Sequence, residues 1–472
     1  PKATFVNEDA RGELRATWRT GSGMGVGDGD SARYPGHLDM KGTLKQAQGT
    51  RVWRYLPAVI NADARYYVRD AVKAGVGENV SFEVKGDLWH FPFKDEHGGK
   101  FRIAVPVKDA TLDYVPGHKP PPGALAAAPY WPAFTKLNDT LVFEGQRMRI
   151  ENATAMLGDV GSGSFALHKV GGRIEDLASD HPKLSIQGEG QGPMSDLLRY
   201  MNVSPVGQWT GQMLGDAQSL GRGNLRLMLD IPLNHVADTI VQGDVTMNEQ
   251  DQTSLRLASQ APWMHGVRGR VQFTQDTLKV DGRAKVWGQD IQVSGTRDAQ
   301  GVPRFVANGM ISAEGMRGAA EWPMLARLAQ RMSGQTPVTV SIALNRTKPA
   351  GAGNASAAFS ARPELQVEST LQGLQLDLPA PLNKRADAAW PLKLVHRTDD
   401  PEGKTDALLL DLAGPVTAKA ELRRALDGQA VPTVLRGTAS LTQGSPATPL
   451  PMPTEGIAAR VLLPQLDLDA WQ

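Results

Sequence analysis

Residues 225–231 read Leu-Arg-Leu-Met-Leu-Asp-Ile, with an aliphatic side chain at every second position. A β-strand sends successive side chains to opposite faces, so Leu225, Leu227, Leu229 and Ile231 share one face. The same period returns at Phe101, Ile103, Val105 and Val107, at Val338, Val340, Ile342 and Leu344, and at Leu408, Leu410 and Leu412. Leu374, Leu376 and Leu378 repeat it on a shorter scale. The chain is therefore read as mainly β: a long, curled antiparallel sheet whose greasy face forms an open apolar groove.

Composition agrees with many short strands. The 472 residues include 50 Gly and 32 Pro, and 41% are hydrophobic while 6% are aromatic. That is ample for sheet faces and lean for several dense cores. Lys and Arg (51) nearly balance Asp and Glu (50), a net charge of +1, so no basic surplus points to nucleic acid. Cys is absent, which removes disulfides and thiolate metal sites. No apolar run approaches the ~18 residues of a membrane-spanning helix. The chain opens on Pro1-Lys2 without Met, and any anchor or export signal is expected outside this segment.

The alternation is broken in few places. Helical spacing is read near 60–74, with Asn61 or Asp63 as cap and Gly75 as stop, near 193–201 and near 322–332. Stretches 21–30, 115–130, 346–357 and 444–455 are loops by composition. Phe143, Met148 and Ile150 are echoed by Phe273, Leu278 and Val280, with Ala284 and Val286 following, which suggests a repeated unit. No composition shift marks a domain boundary, so residues 1–472 are read as one continuous segment.

About twenty to thirty strands at about 4.8 Å each give a sheet on the order of 100 Å across, which must twist and curl. Three short helices cannot cover its apolar side. An exposed surface of that size needs a filler. Hydrocarbon tails are one, at about 0.8 kcal/mol per buried methylene. Two stacked sheets, as in a scaffold of β-sandwiches, meet the same periodicity.

Certain residues add a resemblance. Arg54-Tyr55-Leu56-Pro57, the helix ending near Gly75, Phe91-Pro92-Phe93, Tyr114, Tyr130-Trp131-Pro132, and Leu141-Val142-Phe143 with Met148 and Ile150 resemble the central region of the YhdP-type, AsmA-like envelope proteins of Gram-negative bacteria. So do STLQGLQLDLPAPLNK (369–384), Pro391-Leu392 and the closing Leu466-Asp467-Leu468-Asp469-Ala470-Trp471. The resemblance implies a periplasmic segment of an inner-membrane-anchored protein, serving as a bridge that moves phospholipid between inner and outer membranes. It supplies no catalytic residues.

On this reading the groove lining is expected to include Phe101, Ile103, Val105, Leu225, Leu227, Leu229, Ile231, Phe273, Val280, Val286, Val338, Val340, Ile342, Leu374, Leu376 and Leu378. Competing chemistry is weak. The Gly-rich stretch 21–30 lacks the Lys and flanking elements of a phosphate loop. His90 and His97 bracket Asp95 and Glu96 without ligand spacing on one rigid face. The segment 158–164 reads as a hairpin rather than a nucleophile elbow. Arg65, Arg69 and Lys73 fit a solvated helix face more readily than a headgroup contact. Neither a catalytic residue nor a metal or other cofactor is called.

Overall fold

The computed structural model describes residues 1–23, 33–56, 61–93, 98–116, 129–158, 162–205, 207, 214–235, 238–258, 261–274, 277–297, 302–347, 360–398, 405–426, 433–444, 449–465 and 469. His97, most of loops 21–30, 115–130 and 346–357, part of loop 444–455, and most of the closing motif 466–471 lie outside them.

The strands are β1 (Lys2–Val6), β2 (Ala10–Arg19), β3 (His37–Gln48), β4 (Val72–Asp87), β5 (Gly99–Leu112), β6 (Phe134–Glu144), β7 (Arg147–Leu157), β8 (Ala166–Ile174), β9 (Lys183–Pro193), β10 (Gln218–Leu220), β11 (Arg222–Pro232), β12 (Ile240–Met247) and β13 (Ser254–Arg256). They continue with β14 (His265–Thr274), β15 (Leu278–Val286), β16 (Gln289–Arg297), β17 (Pro303–Ser312), β18 (Met332–Thr347), β19 (Ser360–Ser369), β20 (Leu374–Leu376), β21 (Leu392–Thr398), β22 (Thr405–Leu412), β23 (Val416–Ala425), β24 (Thr433–Gln443) and β25 (Gly456–Leu462). Among the described residues the helices include α1 (Ala62–Ala71), α2 (Met194–Val203), α3 (Ala313–Arg317) and α4 (Pro323–Leu328). Of the described strands, twenty-three belong to one mixed sheet that does not close into a barrel, and β10 pairs with β13 separately.

The chain forms two compact units. One holds residues 1–205, 222–245 and 273–275; the other holds 206–221, 246–272 and 276–472. In the first, β1 to β9 pair antiparallel in sequence order and β11 follows β9. In the second, β15 to β19 and β21 to β24 do the same, with β19 joined to β21. The antiparallel expectation fails at the last pair: β25 lies parallel to β24. Residues 444–455 span at most about 40 Å when extended, enough to run back along a seven-residue strand.

Helix positions follow the sequence closely, with two corrections. Asn61 caps α1 by accepting from the Asp63 amide at 2.8 Å, but α1 ends at Ala71 rather than near Gly75, which sits inside β4 with φ +128°. A side chain there would meet Ala110 of the paired strand at 2.7 Å, so Gly75 permits a close strand approach instead of stopping a helix. The helix read at 322–332 is split into α4 and a 3-10 turn, Ala329–Arg331. Within 322–332 the buried side chains are Ala329 and Met332, while Leu328 is exposed. The sequence reading missed α3, a single turn capped by the Ser312 hydroxyl, which accepts from the Gly315 amide at 3.1 Å.

Because β4 to β9 alternate in direction, the start of β4 and the end of β9 fall at the same end of the sheet. Hence α1, which runs into β4, and α2, which leaves β9, meet there. Tyr114 joins them. Its carbonyl accepts from the Tyr67 hydroxyl of α1 at 2.9 Å, and its hydroxyl lies 2.5 Å from that of Tyr200 in α2. Its ring stacks on Phe134 at 4.6 Å and tilts against Trp131, which in turn tilts against Tyr200. Burial pushes all three tyrosine hydroxyls above their usual range, so they stay neutral.

Another recurrent device pairs a strand glycine with a neighbouring aromatic ring. Gly42 faces Phe82 across β3 and β4, and Gly295 faces Phe305 across β16 and β17. A Cβ on Gly295 would sit 2.4 Å from the Phe305 ring, and one on Gly243 would sit 1.9 Å from the Phe273 ring. The ring lies over the bare backbone and restores the apolar cover that the glycine lacks. Gly295→Val is expected to destabilise by about 1–3 kcal/mol through overpacking. Chemical denaturation would check this, with part of the loss recovered in Gly295→Val/Phe305→Ala.

Candidate functional site

Residues directly opposite one another in paired strands share a face, so strand register traces the apolar side from strand to strand. In the first unit it runs from Leu14 through Gly42, Phe82 and Ile103 to Phe143, Met148 and Ile174. Gly172, the residue of β8 two before Ile174, then leads through Ile186 to Leu229. Phe101, Ile103 and Val105 therefore lie on the same face as Leu225, Leu227, Leu229 and Ile231. The opposite face is polar and laced across strands by pairs such as Lys41–Glu83 (2.8 Å), Lys100–Glu83 (3.0 Å) and Lys169–Glu189 (3.0 Å).

Cover on the apolar face is uneven. Ile103 and Val105 are half-buried, whereas Phe101 packs with Val84 and Phe93. The row Leu225 to Ile231 is enclosed by protein, at 0–9% exposure, and Phe273 of β14 is buried against Gly243. The glycines of β9 contribute to this closure. Gly190 stands opposite Leu225 and Gly188 opposite Leu227, and Phe165 lies over Gly190 and Gly192.

In the second unit the same tracing runs from Val280 through Gly295 and Phe305 to Ile342, Leu365, His396, Leu408, Leu422 and Gly437, ending at Ile457. One position along, it passes from Val293 through Ala307, Val340, Val367, Leu394 and Leu410 to Ala420 and Ala439. Val280, Val286, Val338, Val340 and Ile342 fall on this face. Most of it is half-exposed: Val280, Val293, Val340, Ile342, Leu394, Leu408, Leu410 and Leu422 keep part of their surface free.

Leu374 and Leu376 have a different setting. The run 369–384 leaves the sheet through Leu371 (φ 52°) and Gly373 (φ 92°), and β20 pairs with the start of β18. Leu374 joins Ala313, Met316, Ala329 and Met332 in a small core beneath α3 and α4, with Leu376 packed against it. The buried Lys384 ammonium donates to the carbonyls of Leu374 (2.7 Å) and Arg385 (3.1 Å), and burial draws its pKa down. Leu378 follows β20 and is half-buried. The most distinctive motif of the sequence thus builds a helix-covered loop.

An ionic cluster stands on the second unit's apolar face. The Asp406 carboxylate, 1% exposed, accepts from Arg424 through Nε (2.9 Å) and Nη2 (2.5 Å) and lies 2.7 Å from His396 Nε2. Desolvation alone would raise the Asp406 pKa; the bonds from Arg424 and His396 outweigh it and hold the group ionised, below the usual carboxylate range. Sequence reading passed over this cluster because its members are spread over residues 396–424 and only strand pairing joins them. Among the described residues no group of three or more His, Asp or Glu is arranged to hold a metal ion.

The sequence profile described as "YhdP protein" matches residues 6–472. The chain belongs to the YhdP family. A relative in Escherichia coli (strain K12), described as "Intermembrane phospholipid transporter YhdP", is 26% identical over 240 residues. That match covers 51% of this chain and 17% of the relative, so the chain aligns with a small part of that protein. No solved structure matches the chain. Several motif residues of the YhdP family resemblance now have physical roles. Tyr114 and Trp131 build the aromatic junction of α1 and α2, and the Tyr130 amide bonds the Val203 carbonyl at the end of α2 (2.9 Å). Phe91 and Phe93 pack around Phe101.

Proposed function

We propose that this segment conducts phospholipid between the inner and outer membranes, without catalysis, by letting acyl chains slide along its apolar sheet face. The observation that carries the reading is the half-exposed apolar row of β15 to β25, which crosses successive strands in register. Backbone polar groups are paired within the sheet, so little beyond hydrocarbon side chains faces a tail. Contact with such a surface is non-directional, and a methylene moved from one Leu to the next gains and loses about the same 0.8 kcal/mol. Sliding is therefore favoured over tight capture. The segment is proposed to lie in the periplasm, with membrane contacts made elsewhere in the protein.

The family and the name of the relative support the substrate class. The inward rows of half-exposed Leu, Val and Ile favour this reading over a scaffold of stacked sandwiches, where both faces of the interface would be dry. The test places a photocrosslinking residue at Leu410 and, as control, at Leu409 on the opposite face. Crosslinked phospholipid at Leu410 and little at Leu409 is expected by mass spectrometry. Equal labelling at both, or none at either, would remove the proposal.

A further inference from the structure

The apolar face of β21 to β24 has an ionic cluster at one end. His396 stands between Leu365 and Leu408 in register, and Asp406 stands between Thr398 and Arg424. All of these are on the face traced above. Thr398 ends β21, Thr405 begins β22 and Ala425 ends β23, so the cluster sits where the strands reach one edge of the sheet. Beside it the hydrocarbon resumes with Leu408 and Leu422, then Leu394 and Leu410.

An isolated ion pair placed among leucines is a poor way to gain stability, because desolvation consumes most of the Coulombic gain. What this arrangement does accomplish is positional. Asp406 is almost fully buried and takes both Nε and Nη2 of Arg424, which fixes the guanidinium plane. The same carboxylate takes Nε2 of His396, which fixes the imidazole. The side chains so fixed remain partly open, at 20% exposure for Arg424 and 35% for His396. Arg424 keeps Nη1 for another acceptor, and His396, when protonated, presents Nδ1–H as a second donor.

On the opposite face of the same strands, Arg397, Arg423 and Arg436 stand in one lateral row, with Arg397 and Arg423 flanking Ala407. Glu364 pairs in register with Arg397, and Glu421 bonds Arg423 at 2.6 Å. Among the described residues, Arg397, Arg423, Arg424 and Arg436 thus stand with Glu364, Asp406 and Glu421 near these strand ends.

We propose that Arg424 and His396, held side by side by Asp406 at the edge of the apolar face, bind the phosphate group of an amphiphile whose tails lie on Leu394, Leu408, Leu410 and Leu422. This rests on the reading that the face takes acyl chains, and it adds a headgroup station to it. A planar guanidinium with a spare Nη donor suits a phosphate mono- or diester oxygen.

The test uses the purified chain and three probes below their micellar concentrations: dihexanoylphosphatidate, dihexanoylglycerol and glycerol 3-phosphate. Binding is read by titration calorimetry. The wild type is expected to prefer the phosphatidate to the diglyceride by at least tenfold. Two variants are compared. His396→Gln keeps a donor to Asp406. Asp406→Asn/Arg424→Gln leaves no buried charge unpartnered, so a folding failure is avoided. In both, diglyceride binding is expected to persist while the phosphate preference falls to under twofold. A preference that survives in both folded variants overturns the site, leaving the cluster as a strand-register lock. If the diglyceride fails to bind the wild type but glycerol 3-phosphate binds in an Arg424-dependent way, the site stands and the tail-binding reading falls. Binding of none of the three removes both.

Discussion

Replacing Leu394 with Asp is expected to slow phospholipid transfer by the full-length protein on the order of 100-fold. If acyl chains slide along this face as proposed, a carboxylate in their path costs about 3 kcal/mol, and each 1.4 kcal/mol is a factor of ten. Leu394 is a suitable position for three reasons. It lies between Val367 and Leu410 in the traced row, it is half-exposed, and it lies outside the two small cores described around Phe101 and Leu374. Its loss should therefore leave the fold intact, which circular dichroism would verify. The neighbouring Val395 points to the other face, opposite Gln366 and Leu409. Val395→Asp is the matched control, expected to transfer at the wild-type rate. A folded Leu394→Asp protein with undiminished transfer would show that tails do not cross this row.

The second large effect is on stability. Tyr114→Ala should destabilise the first unit by about 3–5 kcal/mol, the range for removing a large buried aromatic. Tyr114 is 0% exposed and stacks on Phe134, and its hydroxyl meets that of Tyr200. The truncation opens a cavity and leaves the Tyr200 hydroxyl buried without that partner. Tyr114→Phe isolates the second effect and should cost about 1–3 kcal/mol. Both are measured as a shift of the denaturation midpoint followed by near-ultraviolet dichroism, which reports on these rings. A loss under about 1 kcal/mol for Tyr114→Ala would show that α1 and α2 are held by other contacts.

Strands with unbroken aliphatic alternation were legible from sequence. The row 225–231 appears in the structure with strict alternation of buried and less buried residues along β11. Strands whose inward positions are glycines were not. No strand was read at 166–174, 183–193 or 303–312, yet β8, β9 and β17 lie there. In β9 the inward positions include Gly188, Gly190 and Gly192, covered by Val170, Leu167 and Phe165 from elsewhere. The apolar surface was supplied by a neighbouring strand, which a single-strand pattern does not register. The run 369–384 misled in the other direction. Its alternating Leu374 and Leu376 pointed to a lining strand, but positive φ at Leu371 and Gly373 turns it into a short strand over a helical core. Alternation along one strand marks an apolar face, and only strand pairing carries that face from one strand to the next. The His396–Asp406–Arg424 cluster is absent from any linear motif.

Pairing of each strand with its sequence neighbour carries a consequence for how such a chain changes length over evolutionary time. A duplicated or deleted hairpin inserts or removes two strands together, so every downstream strand keeps its direction. The helical junction of the first unit and the ionic cluster of the second would each keep its place relative to the strands that carry it. Each such event alters the sheet by about 10 Å, two strand spacings. A sheet of this kind can be lengthened or shortened in steps of that size while the pairing of its other strands is kept.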